Sequence, residues 1–240
     1  MINSTLDKRL LSCADYVRAG AVFADIGTDH GYLPIHLLKT GRIERAYLSD
    51  VNQGPLSSAE RNAGREGLMD RCEFILADGA SALKDKGITD YAICGMGGEL
   101  IARIIEDAPH LKDEGVRLIL QPMTKQEHLR RYLALAGFLV IDERFSYDSG
   151  KYYVTMLAEY RAEPYEPSFD ELELGKNLPH THDRVEYLGF LEGKRRAART
   201  ALLGKSAGGY DTSEDEERLA VIESRIAKLT GELYDRKNTL

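Results

Sequence analysis

The stretch VFADIGTDHGYLP, Val22 to Pro34, decides the fold. Val22, Phe23 and Ala24 form a short apolar run that reads as a buried strand, and the run ends on a carboxylate, Asp25. Gly27 and Gly31 mark a turn, after which Leu33, Leu37 and Leu38 fall on one face of a helix. Strand, glycine turn and helix start together cradle a nucleotide-like ligand. Glycine admits close backbone approach, and the free N–H groups at a helix start favour anionic groups. The dinucleotide fingerprint GxGxxG fails here, because Asp29 stands where the second glycine belongs. A carboxylate in the crook of the turn is poor for a pyrophosphate. It suits a ligand without phosphates that carries positive charge, which S-adenosylmethionine does through its sulfonium and amine.

Working outward, the 240 residues hold one substantial core and an appendage. Hydrophobic content of 43% and charged content of 30% fit an ordinary soluble chain. No apolar run approaches the roughly 20 residues that span a bilayer. The polar, charged start MINSTLDKRL carries no signal-peptide pattern. Cys13, Cys72 and Cys94 have no paired spacing, so neither a disulfide framework nor a zinc site is expected, and a reducing cytoplasm is the expected setting. A net charge of −7 counts against nucleic-acid binding without excluding it, since phosphate binding depends on local clusters of Lys and Arg.

Up to about residue 160, β-rich runs alternate with helical patterns, the mark of a doubly wound α/β sheet. A helix around Thr5–Val17 precedes the strand Val22–Asp25. Further strands are read at Ala46–Val51, Cys72–Asp78, Tyr91–Gly95 and Val116–Pro122. Helices are read from near Tyr32, at Pro55–Glu66, Glu99–Asp107 and Gln126–Ala136. FLVIDERFSY and KYYVTMLAEY, joined by Asp148-Ser149-Gly150, read as a closing hairpin. Seven strands ending in a hairpin make the class I, Rossmann-like methyltransferase sheet.

Near Tyr165 the composition turns charged and helix-rich. Helices over Val185–Leu203 and Ser213–Asp235 pair as an antiparallel coiled-coil hairpin, joined by KSAGGYDT. The second opens with Ser213 and Glu216 at capping-box spacing. Its Leu219, Ile222, Ile226, Leu229 and Leu233 follow a/d spacing, and the first offers Val185, Leu188, Leu191, Ala198 and Leu202. The domains are therefore drawn as 1–162 and 163–240.

Four strand ends carry polar residues in register: Asp25, Asp50, Asp78-Gly79 and Gly95-Met96-Gly97-Gly98. Open α/β sheets bind ligands at these carboxyl ends. An acid after the second strand is placed for ribose hydroxyls, and one after the third for an adenine amine. DIGTDHGYLP, SDVNQGPLSSAERN, LADGASAL, CGMGGELI and LILQPMTKQEHLRRYLALAGF with its hairpin occur in one order. In these motifs, from about Leu6 to Tyr160, the chain resembles the TrmK family, bacterial tRNA (adenine-N1)-methyltransferases that act at tRNA position 22. The resemblance implies S-adenosylmethionine as methyl donor and tRNA as substrate and partner. It implies a methionine-side loop of Asp25, Gly27, Thr28, Asp29, His30, Gly31 and Tyr32. Asp50, Val51 and Asn52 fall to the ribose, Asp78 and Gly79 to the adenine, and Cys94, Gly95, Met96 and Gly97 to the floor beneath the methyl.

Adenine N1 is nucleophilic while neutral, so attack on the sulfonium methyl needs no strong base and most of the acceleration comes from positioning. The product is cationic, and a nearby carboxylate stabilises it or takes a proton from the exocyclic amine. Asp29 is the catalytic candidate; its alternative roles are to hold the cofactor amine or cap the next helix. The Asp/Asn-Pro-Pro-aromatic segment of exocyclic-amine methyltransferases is absent, so a base platform must come from elsewhere, with Tyr32 and the Phe145–Tyr153 region as suppliers. Cys94 is read as a small buried residue beside the cofactor rather than a nucleophile. His180 and His182 read as a solvated loop, and no metal site is expected. The RNA-contact candidates are Lys8, Arg9 and Arg18, then Lys125, Arg130 and Arg131, then Lys194, Arg195, Arg196 and Arg199. A monomer or weak dimer is expected. The alternative activity is methyl transfer from the same donor to a small molecule.

Overall fold

The computed structural model describes residues 6–176 and 183–237. One seven-stranded sheet has the order β3-β2-β1-β4-β5-β7-β6. β1 (Phe23–Ile26), β2 (Ala46–Asp50), β3 (Cys72–Leu76), β4 (Asp90–Gly97) and β5 (Arg117–Thr124) are parallel. β6 (Phe138–Asp148) and β7 (Lys151–Tyr160) form the expected hairpin, and β7 runs antiparallel beside β5. Ser149 and Gly150 both take positive φ in its two-residue turn, the twist a tight hairpin favours. The strand order reverses between β1 and β4, and that is where a crevice must open.

Side chains alternate across the sheet. Phe23, Leu48, Ala92 and Ile119 share one cluster with Cys13, Val17, Leu37, Leu38 and Ala59. These come from α1 (Lys8–Tyr16) and the residue after it, α2 (Tyr32–Lys39) and α3 (Gln53–Arg65). Ala24, Ile93, Leu118 and Leu120 face the other way, onto Ile101, Ile105, Leu129 and Leu133 of α4 (Gly98–Glu106) and α5 (Gln126–Leu135). At the start of α4 a Cβ on Gly98 would lie 2.2 Å from the carbonyl oxygen of Lys125. The ends of β4 and β5 therefore approach so closely that only glycine fits.

α1 starts at Lys8 with Asp7 as its cap, the Oδ1 atom accepting from Leu10 N at 2.7 Å; Thr5 lies outside the described residues. Just beyond the other end of α1, Arg18 meets Asp90, the first residue of β4. Asp90 is fully buried and accepts from Arg18 N and Nε, each at 2.8 Å. Arg18 Nη2 also donates to the carbonyls of Thr89 and Gly115, each at 2.8 Å.

Beyond the sheet lie α6 (Phe169–Leu174), α7 (Arg184–Ala207) and α8 (Ser213–Lys237). α6 was not anticipated from the sequence, and it carries a true capping box, Ser168 with Glu171. The box expected at Ser213 and Glu216 does not form. The Thr212 carbonyl already accepts from Glu216 N, so Ser213 is inside the helix and its hydroxyl donates to Asp211 at 2.7 Å. The root of the hairpin joins the sheet's own core: Phe145 lies 4.5 Å from Tyr187 and 5.2 Å from Phe190, ring centre to ring centre. Ile222 and Leu229 are fully buried, Leu219 and Ile226 half-buried, as the spacing predicts. The side chain of Leu233 and residues His180 and His182 lie outside the described residues. Val185 does not join this face and is 72% exposed, because Tyr187, Phe190 and Leu191 set the buried side of α7.

Removing one partner from a buried ion pair strands the other charge. Arg18→Ala, which strands the fully buried Asp90 carboxylate, is expected to lower the unfolding free energy by about 3–5 kcal/mol, read from urea denaturation. A loss below about 1 kcal/mol, the scale of a surface pair, would mean that this carboxylate does not depend on Arg18.

Candidate functional site

Between the carboxyl ends of β1 and β4 lies a cleft of about 530 Å³. It gathers Asp25, Gly27, Asp29, His30, Gly31, Tyr32, Cys94, Gly95 and Met96 from the sequence-expected set. The turn after β1 is pinned to β2, since Gly27 N and Thr28 N both donate to the Ser49 carbonyl, at 2.8 and 3.0 Å. It is pinned to α3 by Asn62 Nδ2, which donates to the His30 carbonyl at 3.0 Å. A Cβ on Gly27 would lie 1.9 Å from Met96 Cε, so the methionine side chain covers the turn. Thr28 is buried at 1% exposure, and neither it nor Gly97 lines the cleft.

Two carboxylates behave differently. Asp25 sits on the floor, and burial pushes its carboxyl up to about 6; the Asp50 carboxylate adds to this, while the Thr28 hydroxyl and Arg9 oppose it. The Asp29 side chain is 79% exposed on the rim, with Oδ2 3.5 Å from His30 Nε2. Asp29 does not cap α2: that position is Gly31, in the left-handed conformation, and no side chain caps the helix.

The adenosine-side candidates lie outside the cleft, at the open ends of β2 and β3. Asp50 Oδ1 accepts from Asn52 N at 2.7 Å, which fixes its carboxylate at the strand end. Beside Asp50 and Asp78, Val51 and Leu76 expose apolar side chains, at 59% and 58%. Leu76, which no local sequence pattern singles out, is set opposite Asp50 by the strand register.

The cleft also holds residues from distant segments: Asp7, Arg9 and Leu10 of α1's first turn, Met123, and Asp148, Ser149 and Tyr153 of the strand hairpin. Of the aromatic platforms expected, Tyr32 and Tyr153 line the cleft. Phe145 does not, being 3% exposed and committed to the hairpin root. Tyr32 stacks on His30, centroids 5.1 Å apart. Cys94, unpaired in sequence, meets Cys13 with the sulfurs 3.5 Å apart, both as free thiols. The Cys13 contact and burial hold the Cys94 thiol well above the ordinary range, so it stays protonated at neutral pH.

Two expected RNA contacts are corrected. Arg130 is 5% exposed and donates through Nε to the equally buried Glu143 at 2.9 Å, with Nη1 on the Leu172 carbonyl. Lys194 donates to Glu173 at 2.9 Å inside the junction of α6, α7 and α8. Both charges are spent within the protein. Arg131, Arg195 and Arg199 make surface pairs with Glu166, Glu192 and Glu223, which are cheap to exchange for phosphate. Lys8, Lys125 and Arg196 are exposed, and among the described residues they form no ion pair. Arg18 is committed to Asp90.

Among the described residues no cluster of His, Cys, Asp and Glu could hold a metal ion, and no helix is long and apolar enough to cross a membrane. Residues 6–156 match a family model described as a methyltransferase domain. The chain is 36% identical over 154 residues to the tRNA (adenine(22)-N(1))-methyltransferase of Bacillus subtilis (strain 168). That alignment takes in 64% of this chain and 65% of the relative, just under two thirds of its length. A Streptococcus pneumoniae protein solved in complex with S-adenosyl-L-methionine superposes with a TM-score of 0.80 at 30% identity, covering 92% of this chain and all of that one. The M. capricolum TrmK structure holding S-adenosyl-homocysteine superposes at 0.78 and 26% identity, covering 93% and 99%.

The raised Asp25 carboxyl has a thermodynamic consequence. The fold binds that proton more tightly than the unfolded chain, whose carboxyl titrates near 3.8. Stability from this group is complete below that value and is lost as pH rises through about 6, a change of about 3 kcal/mol. Urea titrations of the ligand-free protein from pH 4 to 7 are expected to show this slope in the wild type relative to Asp25→Asn. Parallel curves would place the Asp25 carboxyl in water.

Proposed function

Given that the chain belongs to the methyltransferase-domain family, we propose that it transfers a methyl group from S-adenosylmethionine to N1 of adenine 22 in tRNA, in the cytoplasm. The observation that carries this reading is the likeness of over nine tenths of the chain, helical hairpin included, to a TrmK structure. A small-molecule methyltransferase has no need of that hairpin.

In this reading Asp25 meets the cofactor's ammonium group from below, where burial strengthens the attraction. Asp50 and Asn52 take the ribose, Asp78 and Gly79 the adenine amine, and Val51 and Leu76 flank the adenine ring. Cys94, Gly95 and Met96, which line the cleft, form the floor under the methyl. The in-plane lone pair of adenine N1 forms the new C–N bond as the methyl–sulfur bond breaks, and S-adenosylhomocysteine leaves with that electron pair. The ring becomes cationic. Asp29, on the rim, lies where a docked tRNA would cover it, and exclusion of water makes its charge effective against that cation.

Residues 1–162 carry the chemistry, and 163–240 extend the surface that tRNA covers. Lys8, Lys125, Arg131, Arg195, Arg196 and Arg199 supply the phosphate contacts, whereas Arg9 is tethered to Gln121 and Asp7 in the cleft. Deleting the hairpin is a poor test of this, because Phe145 would lose the aromatic partners that cover it. Charge reversal keeps the core intact. The double variant Arg196→Glu, Arg199→Glu is expected to raise KM for tRNA about ten-fold or more, with S-adenosylhomocysteine affinity unchanged by calorimetry. An unchanged KM would remove that helix from the interface.

The deciding experiment is radiolabelled methyl transfer to unmodified bacterial tRNA followed by nucleoside analysis. The expected product is 1-methyladenosine, lost when adenine 22 is replaced by guanine. Methylation of the exocyclic amine, or heat with NADH and none with S-adenosylhomocysteine, would overturn the reading. In the same assay Asp29→Asn is expected to lower kcat about ten-fold or more; wild-type turnover would leave Asp29 without a catalytic part.

A further inference from the structure

The ladder between β4 and β5 slips at its carboxyl end. Cys94 pairs with Gln121 and Met96 with Pro122, so Gly95 is left over as a bulge. Gly95 takes a φ of +79°, which a side chain at this position would disfavour. Its N–H is satisfied by a side chain: Gln121 Oε1 accepts it at 3.2 Å.

Gln121 is fully buried and lies behind the cleft wall. The same Oε1 accepts from Arg9 Nη1 at 2.9 Å, and Nε2 donates to the Pro122 carbonyl at 3.1 Å. The amide can point only one way, since a flip would set its NH₂ against two donors. Arg9 is held from its other side by Asp7, whose Oδ2 accepts from Nη2 at 3.2 Å. The guanidinium carbon lies 6.0 Å from the centre of the Tyr153 ring. Asp7, Arg9, Gly95 and Tyr153 all line the cleft.

Resting on the function proposed above, we infer that Gln121 is a positioning residue for methyl transfer. One buried amide oxygen fixes both the bulged peptide at the end of β4 and the Arg9 guanidinium, and these form the wall against which the acceptor adenine is seated. Its contribution acts on orientation, where small displacements are costly. The tether to Asp7 and Gln121 also keeps the Arg9 charge from swinging toward the ring as it becomes cationic. Gln121 itself touches neither substrate nor cofactor.

The test compares Gln121→Met, which keeps the volume and cannot accept these hydrogen bonds, with Gln121→Glu, which retains acceptor oxygens for Arg9 and Gly95. Gln121→Met is expected to lower kcat for tRNA about ten-fold or more while KM for tRNA and the Kd for S-adenosylhomocysteine stay within about two-fold. Amide exchange at Gly95, followed by ¹⁵N NMR, is expected to quicken by about ten-fold as its hydrogen bond is lost. Gln121→Glu is expected to recover most of the kcat. A Gln121→Met enzyme with wild-type kcat would overturn the inference, as would a kcat loss matched by an equal loss of cofactor affinity. Should Gln121→Met not fold, Arg9→Met cuts the same tether from the cleft side and must show the same kcat loss at unchanged cofactor affinity. If the wild type methylates no tRNA, the functional reading fails, while unchanged Gly95 exchange in the variant would by itself refute the tether.

Discussion

One fully buried carboxylate, Asp90, ties the helix layer to the sheet. A charge removed from water must be paired, and the group that reaches it is Arg18, just past the end of α1. That pairing sets the foot of α1 against the start of the central strand β4. The nine residues of α1 then span about 13 Å alongside the sheet, and its first turn arrives over the far end of the same strand. There Arg9 meets Gln121, which also holds Gly95. The helix is thus fastened to β4 at both ends, by an ion pair below and a shared amide oxygen above. The upper fastening lies in the cleft wall.

The cleft inherits its division of labour from this arrangement. Its floor is rigid because the turn after β1 hangs from Ser49 and Asn62 and leaves Asp25 with little water. Its rim is built from pieces far apart in the chain, the first turn of α1 and the strand hairpin. The ends of β2 and β3 stay open, with Val51 and Leu76 exposing apolar surface beside carboxylates. Exposed apolar groups flanked by acids suit an aromatic ring that carries an amine and a sugar.

For a chain with a net charge of −7, which cations are already spent matters more than how many there are. Glu173 is a junction where Lys194 and Arg218 converge. Burial pushes its carboxyl up, yet the two cations outweigh that and hold it below the ordinary range. The hairpin root, with Tyr187 fully buried against Phe145, gains about 1.5–3 kcal/mol for each such side chain. Pairs farther out, such as Arg199 with Glu223, are worth about 0–1 kcal/mol. The root is therefore fixed, and the outer arginines can be exchanged onto a polyanion at little cost.

The residues alone determined the strand–turn–helix around Asp25, the seven strands, the closing hairpin and the helical pair, because each rests on periodicity or turn chemistry within a few residues. They also placed Asp50 at the end of its strand, while the third strand stops at Leu76, two residues short of Asp78. α6 was missed because six residues are too few to show a period. The cap at Ser213 was misplaced by one residue, because Asp211 accepts from both Ser213 N and its hydroxyl while the Thr212 hydroxyl donates to Glu216. Only the tertiary structure decided which cations face solvent: Arg130 and Arg131 are neighbours in sequence, yet one is buried on Glu143 and the other exposed. It alone brought Arg9, Gln121 and Gly95 together, and Cys13 with Cys94, across sequence separations of 26 to 112 positions. Contacts of that kind depend on how helices dock on a sheet, and no pattern within a single element encodes them.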